Sequence, residues 1–278
     1  MIERLQQFLA SWMNRVRVNR MQWTIRDGVP VVVKRRRFGG SPVVWFGNRF
    51  LALADSGIWM FVRAREWMAW ESHCARLLYP DRSAVTLGPG HAVNMPESPG
   101  VSLRQMLQSG ESTLKAFVAA ARELRRTHQI QCSVFKAAWS HGDLHLDNIL
   151  YDSAADRAVL IDFDTRHELT IKATQRHSDD LKVVLLELLA MPEEQWLRPA
   201  TAFLEEYGDS MVLDELSRQL FVPCDFAKIL WYTRTNCCSI RRFEPRLQSL
   251  REIIHQVAAR TSHSARIQLC RDELQGEL

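Results

Sequence analysis

Residues 140–164, SHGDLHLDNILYDSAADRAVLIDFD, constrain the fold more than any other stretch of the chain. Two short apolar runs, 149–151 and 158–161, flank a polar, turn-like DSAADR. That pattern predicts a β-hairpin. A hairpin holds its two ends together. Asp143 and Asn148, just before the first strand, are therefore expected near Asp162, at the end of the second. Two carboxylates and a carboxamide at one place are oxygen ligands for a hard cation. Mg²⁺ prefers such donors and completes its shell with water and substrate phosphates.

The 278 residues are 46% hydrophobic, enough for one large domain or for two lobes sharing a cleft. A net charge of +4 gives no case for a nucleic-acid partner. Cysteines at 74, 132, 224, 237, 238 and 270 show no zinc spacing, and Cys237-Cys238 reads as two thiols rather than a disulfide. No signal peptide is read, and no apolar run approaches the ~18–20 residues that span a bilayer. The chain is expected to be cytoplasmic.

Residues 2–16 place Leu5, Phe8, Leu9, Trp12 and Val16 on one helical face, with Arg4, Arg15, Arg17 and Arg20 around it. Such a helix packs on its own domain or touches an anionic inner-membrane surface through residues 2–20. Next, 23–25 and 29–34 read as strands joined by an Asp27-Gly28 turn. Lys34 closes the second apolar run. Arg35, Arg36 and Arg37 follow it, facing an anionic acceptor or an acidic lipid surface, or only solvated. Residues 38–62, broken by Gly and Pro, give no assignable element. A helix is predicted over 64–78, with Trp67, Trp70, Cys74, Leu77 and Leu78 on one face and Glu66 and Glu71 as its acids. Residues 92–95 read as a strand and Ser102 as a helix N-cap. A helix over 114–129 turns Phe117, Val118, Ala121, Leu124 and His128 inward, with His128 as a helix-end residue. Another helix is expected to open at 178–180, capped by Asp179 or Asp180. Residues 193–260 read as helices punctuated by Pro192, Pro199 and Pro223. Arg234, Arg241, Arg242 and Arg246 line an anionic acceptor site or form a solvated face, the second being preferred, and 261–278 read as a frayed polar tail.

The order His141-x-Asp143-x-x-x-x-Asn148, then Asp162-Phe163, resembles the catalytic loop and metal-binding Asp of protein-kinase-like phosphotransferases. HGDLHLDNIL and LIDFD look most like the bacterial lipopolysaccharide-core (Kdo) kinase and aminoglycoside phosphotransferase-like branch. The resemblance covers roughly residues 20 to 200 of this chain. It implies an α+β, two-lobed protein-kinase-like fold. A small β-rich N-lobe (21–96) would grip nucleotide phosphates. A larger, mostly helical C-lobe (97–260) would carry the catalytic hairpin, metal site and acceptor site. Residues 1–20 and 261–278 would flank them.

The implied activity is ATP- and Mg²⁺-dependent transfer of a γ-phosphoryl group to a hydroxyl of a small molecule or sugar, a lipid-linked lipopolysaccharide-core sugar among them. Carried over, Asp143 is the base, Asn148 and Asp162 hold Mg²⁺, and Lys34 grips the phosphates. Glu71, chosen over Glu66, pairs with Lys34. His141 braces the loop, Asp180 ties down its backbone, and residues 94–96 meet the adenine edge. The chain departs from the pattern in four places. No GxGxxG precedes Lys34. Gly142 replaces the Arg of HRD. Asp164 replaces the Gly of DFG and ranks behind Asp162 as a ligand. The segment between Asp164 and Asp180 is too short to dock a peptide. The missing glycine loop keeps a pseudokinase, acting as a nucleotide-binding or regulatory scaffold, as the alternative. A Ser/Thr protein kinase is the least favoured reading.

Overall fold

Asp27 and Gly28 both take positive φ, 50° and 77°, in the computed structural model, which describes residues 18–82, 85–111, 113–224, 226–235 and 238–276. Two left-handed residues in sequence make the turn that suits a tight, twisted hairpin. The turn joins β1 (Asn19–Arg26) to β2 (Val29–Arg36), with Arg26 opposite Val29 and Met21 opposite Lys34. β2 continues the sheet to β5 (Ala92–Pro96) and then to β4 (Thr86–Gly88), all antiparallel. The predicted helix at 2–16 and Cys237 lie outside the described residues.

The stretch that resisted assignment holds a helix, α1 (Gly40–Leu53), followed by β3 (Ile58–Met60). The glycines and proline that obscured it are placed for it. Gly39, at φ 76°, is the N-cap, and Pro42 lies in the first turn, where a missing N–H costs little. At Gly47 a Cβ would come 2.3 Å from Met60 Cε, so the glycine lets helix and strand touch. Asn48 completes the contact. Its carboxamide donates to Met60 O and accepts from Met60 N, both at 2.8 Å.

α2 (Ala64–Leu78) forms over the expected residues and buries Trp67, Trp70, Glu71, Cys74 and Leu78. α3 (Leu103–Ser109) is capped by Ser102, which accepts from Gln105 N at 3.2 Å. α4 (Leu114–His128) buries Phe117, Ala121 and Leu124 beneath the predicted hairpin. That hairpin is β9 (Ile149–Asp152) with β10 (Arg157–Leu160), Leu160 standing opposite Ile149 and Arg157 opposite Asp152. β6 (Val101–Ser102) adds to β9, β7 (Gln131–Cys132) pairs β8 (Ala137–Ala138), and β11 (Thr165–His167) pairs β3. The fold is thus α+β, with small antiparallel sheets and no barrel among the described residues.

α5 (Ala173–Leu189) is the central helix, buried almost throughout from Arg176 to Leu189. It begins five residues before Ser178, so Asp179 and Asp180 are interior residues rather than caps. Their carboxylates serve partners on other elements, described below. α6 (Glu193–Tyr207) packs on α4, and α7 (Ser210–Gln219) on α5. Pro199 lies inside α6 and does not punctuate it. α8 (Ala227–Arg234) and α9 (Ile240–Gly276) follow. α9 runs through the stretch read as a tail, where no Gly or Pro falls between Pro245 and Gly276.

The arginine face is a further correction. Arg234 is buried and makes a two-pronged ion pair with Asp179 at 3.0 Å. Arg246 is buried too, donating to Leu189 O at 2.8 Å and pairing with Glu193 at 2.7 Å. An arginine hidden in this way is held by acids and carbonyls far away in sequence, which local pattern does not reveal. Among the described residues no helix is long and apolar enough to cross a membrane.

Asn48→Ala strips partners from both backbone groups of half-buried Met60. Each unmet group costs about 1–3 kcal/mol, so the variant should unfold at clearly lower urea than wild type. An unchanged midpoint would remove Asn48 from the α1–β3 joint.

Candidate functional site

The chain runs from β10 through Ile161 to Asp162, where φ is 68° and the backbone turns sharply. β2 brings Lys34 to this turn from one side, and α2 brings Glu71 from the other. Lys34 Nζ lies 2.9 Å from Glu71 Oε2 and 2.6 Å from Asp164 Oδ1, and it contacts Asp162 Oδ1. Lys34 and Glu71 are buried. A buried ammonium without partners would be unstable as a charge. Burial works against the Lys34 charge, but Asp162, Asp164 and Glu71 together raise its pKa well above the usual value.

The carboxylates respond unequally. Burial, against the pull of Lys34, pushes Glu71 up to about 7. Asp162 is raised by burial and by Asp164 beside it. Burial would raise Asp164 as well, but Lys34 and hydrogen bonds from Trp67 Nε1 and Asn19 Nδ2, both 2.7 Å, hold it below its usual range. One ammonium against three carboxylates leaves two unbalanced negative charges when all are ionised. Glu71, Asp162 and Asp164 each offer an oxygen within 4.8 Å of the others. That donor set fits a divalent, oxygen-seeking cation.

The loop before β9 is fixed from below. Asp180 Oδ1 accepts from Gly142 N and Oδ2 from His141 N, both at 2.8 Å. Asp180 Oδ2 also meets His128 Nε2 at 3.1 Å, and His128 Nδ1 meets the Tyr207 hydroxyl at 2.9 Å. His128 is therefore a buried member of this network, more than a helix-end residue. His141 Nε2 donates to Ile161 O at 3.0 Å, bracing the loop against the approach to Asp162. Gly142 has φ 90°, and a Cβ there would sit 3.0 Å from the Arg166 carbonyl carbon. No arginine fits at this position.

Asp143 is half-exposed and faces a cavity of about 610 Å³ that also meets Asp162, Asp164 and Arg234. His145 Nε2 is 2.9 Å from Asp143 Oδ1, and His145 Nδ1 is 2.5 Å from Glu187 Oε1. Glu187 in turn accepts from Leu146 N at 2.7 Å and from Arg104 at 2.6 Å. Burial opposes the charge on His145, but its two carboxylates push it up to about 10. Partial burial would raise Asp143. The charge and hydrogen bond of His145, with Arg234 behind, hold it below its usual range. Asp143 is thus an ionised acceptor facing open space.

A second cavity, about 310 Å³ and mostly apolar, lies under β1 and β2 against Met95, Leu150 and Leu160. Lys34, Glu71 and Asp162 close its inner end, and Asp162 lines both cavities. Met95 and Pro96 line this cleft, as expected of residues 94–96. Asn94 turns away, its Nδ2 donating to Thr86 at 3.2 Å.

Of the sequence candidates, Lys34, Glu71 and Asp162 meet directly, and Asp143 shares the larger cavity with Asp162. Asn148 lines neither cavity. Its Nδ2 donates to Asp143 O at 2.9 Å, which leaves its carboxamide oxygen as the atom able to bind an ion. Glu66 is exposed and pairs with Arg63. Sequence reasoning missed His145, Glu187, Asn19 and Trp67, and placed Asp164 behind Asp162, whereas both acids meet Lys34. Glu187 left a signal: it is the one acid in the apolar run VVLLELLA. No protein-family profile matches this chain, and no curated protein sequence does.

His145→Gln tests the relay. A group whose folded pKa lies above its unfolded value stabilises fully below the latter and stops doing so above the former. His145 should therefore contribute about 1–3 kcal/mol below pH ~6.5, and that contribution fades as pH climbs through about 10. Urea unfolding of wild type and variant at pH 6 and pH 10 reads it out. A gap that is constant across this range would mean that His145 is neutral in the folded chain.

Proposed function

We propose that this chain is an ATP- and Mg²⁺-dependent phosphotransferase, built on a two-lobed protein-kinase-like plan, that moves the γ-phosphoryl group to a hydroxyl acceptor. The observation that carries this reading is the position of Asp162, where an apolar cleft meets an acidic cavity, with Lys34 behind it and Asp143 facing the second space. An adenine ring suits the narrow cleft beside Met95 and Leu150. The phosphates then run toward Lys34, and the acceptor enters the larger cavity.

Asp143 would accept the proton of the acceptor hydroxyl. As the hydroxyl oxygen bonds to the γ-phosphorus, the bond from that phosphorus to the β–γ bridging oxygen breaks, and ADP leaves. His145 keeps Asp143 ionised and aimed, so the loop supplies position and charge rather than covalent chemistry. Asp162, Asp164 and the carboxamide oxygen of Asn148 would hold Mg²⁺, which neutralises phosphate charge when bound. Lys34 is drawn by three carboxylates and would exchange part of that company for phosphate oxygens.

The acceptor is a small molecule or sugar, and a lipopolysaccharide-core sugar is the class that the sequence resemblance supports. A scaffold that binds nucleotide without transfer is the second reading. It is favoured by the β1–β2 turn, which holds one glycine where a phosphate-covering loop would have several.

Two variants separate the readings. Asp162→Ala should abolish the rise in thermal midpoint that needs ATP and Mg²⁺ together. Asp143→Asn should keep that rise and lose about 10²-fold or more in phosphoryl transfer. No nucleotide-dependent shift in wild type would end both readings. A shift without transfer to any hydroxyl would leave the scaffold.

A further inference from the structure

α1 has two apolar faces, and only one of them is used. Val44, Asn48 and Leu51 pack inward. Pro42, Trp45, Phe46, Arg49 and Leu53 follow a helical i, i+3, i+4, i+7, i+11 spacing on the opposite side and are exposed. Phe46 and Leu53 keep 67% and 66% of their surface in water, and Trp45 keeps 46%. Phe38, two residues before the helix, is fully exposed. Isolated exposed apolar residues need no explanation, but a contiguous set on one helix face marks a docking surface.

The charges around the face name its partner. From Gly28 to Ala54 the chain holds no Asp or Glu, while Lys34, Arg35, Arg36, Arg37 and Arg49 are basic. Arg49 lies over the Trp45 ring, 5.3 Å from its centroid, an amphipathic pair with one charged and one aromatic member. Arg20 stands directly opposite Arg35 across the β1–β2 ladder, and both are exposed. Like charges in that register repel. Among the described residues none of Arg20, Arg35, Arg37 and Arg49 has a carboxylate partner. A surface that keeps unpaired arginines side by side, next to exposed Trp and Phe, fits an anionic layer with an apolar interior.

We propose that the outer face of α1, with Phe38 and the flanking arginines, docks on an anionic lipid bilayer, the aromatics entering the headgroup boundary and the arginines meeting lipid phosphates. The helix lies in the interface rather than across it. Gly47 and Leu51, on the far side of the helix, line the 610 Å³ cavity with Arg20 and Arg37. Docking therefore places α1 between the lipid surface and the acidic cavity. The proposal stands on the exposed face and its charges, and does not depend on the phosphoryl-transfer reading.

The test is sedimentation of the full chain with vesicles of phosphatidylcholine alone and of phosphatidylcholine mixed with phosphatidylglycerol. Wild type should sediment with the anionic vesicles only. Arg35→Gln with Arg49→Gln should weaken binding roughly fivefold per arginine removed. Phe38→Ser with Trp45→Ser and Phe46→Ser should abolish it, with the thermal midpoint unchanged. Wild type that ignores anionic vesicles overturns the proposal. So does a serine variant that binds as wild type does. A serine variant that keeps vesicle binding but melts earlier would mean that residues 1–17 or a second copy of the chain cover this face.

Discussion

The carboxylate of Asp180 is the contact from which the rest of the site is hung. It lies at the centre of α5, fully buried, and accepts the backbone N–H groups of His141 and Gly142. A carboxylate in such a place is stable only if hydrogen bonds replace the water it has lost. Burial pushes it up, yet His167, His128 and His141 bring it down to about 2. The result is a loop that cannot drift from the helix without exposing a bare charge. Everything downstream is measured from that loop. His141 reaches up to Ile161, Asn148 clasps Asp143 from the side, and Ile161 N bonds to Asn148 O at 2.9 Å.

Above the loop, the acids form a deliberate imbalance. Lys34 satisfies three carboxylates at once, and each keeps a different proton affinity because each has different company. Among the described residues Glu71 has Lys34 and the Phe163 amide as its hydrogen-bond partners. Asp164 adds Trp67 and Asn19. Asp162 is pressed by Asp164. With three carboxylates to one ammonium, the cluster favours one more positive charge. The second relay, from Asp143 through His145 to Glu187 and Arg104, is balanced instead, with charges alternating along it.

The sequence exposed those parts whose constraint is local. The β9–β10 hairpin was legible because alternation and a polar turn act within a dozen residues. The Asp27-Gly28 turn was legible because few residue pairs take two positive φ values in a row. α2 followed from a strict apolar stripe. What stayed hidden was decided at a distance. α1 carries a glycine, Gly47, that serves Met60, a contact that appears only once β3 is in place. Arg234 and Arg246 looked solvated because the acids and carbonyls that bury them lie on α5 and α6. His145 and Glu187 are 42 residues apart, so neither announces the other. The start of α5 was misplaced at 178 because two acids opening an apolar run usually cap a helix; here the helix had already begun, while Asp180's hold on the loop was what the resemblance implied.

The pairing of β11 with β3 bears on how the site behaves in time. Thr165 to His167, directly after the acidic pair, are hydrogen-bonded to Ile58 to Met60. Trp70 Nε1 holds Thr165 O at 2.9 Å, Glu168 N bonds to Gly57 O at 2.8 Å, and His167 is fastened to Ser140. A segment sewn on several sides has no second resting place close in energy. The acidic cluster is consequently assembled once, when the chain folds, and is not switched on and off by a swinging loop. Control over what happens there belongs to encounter: to which molecules reach the cavity mouth, and how often.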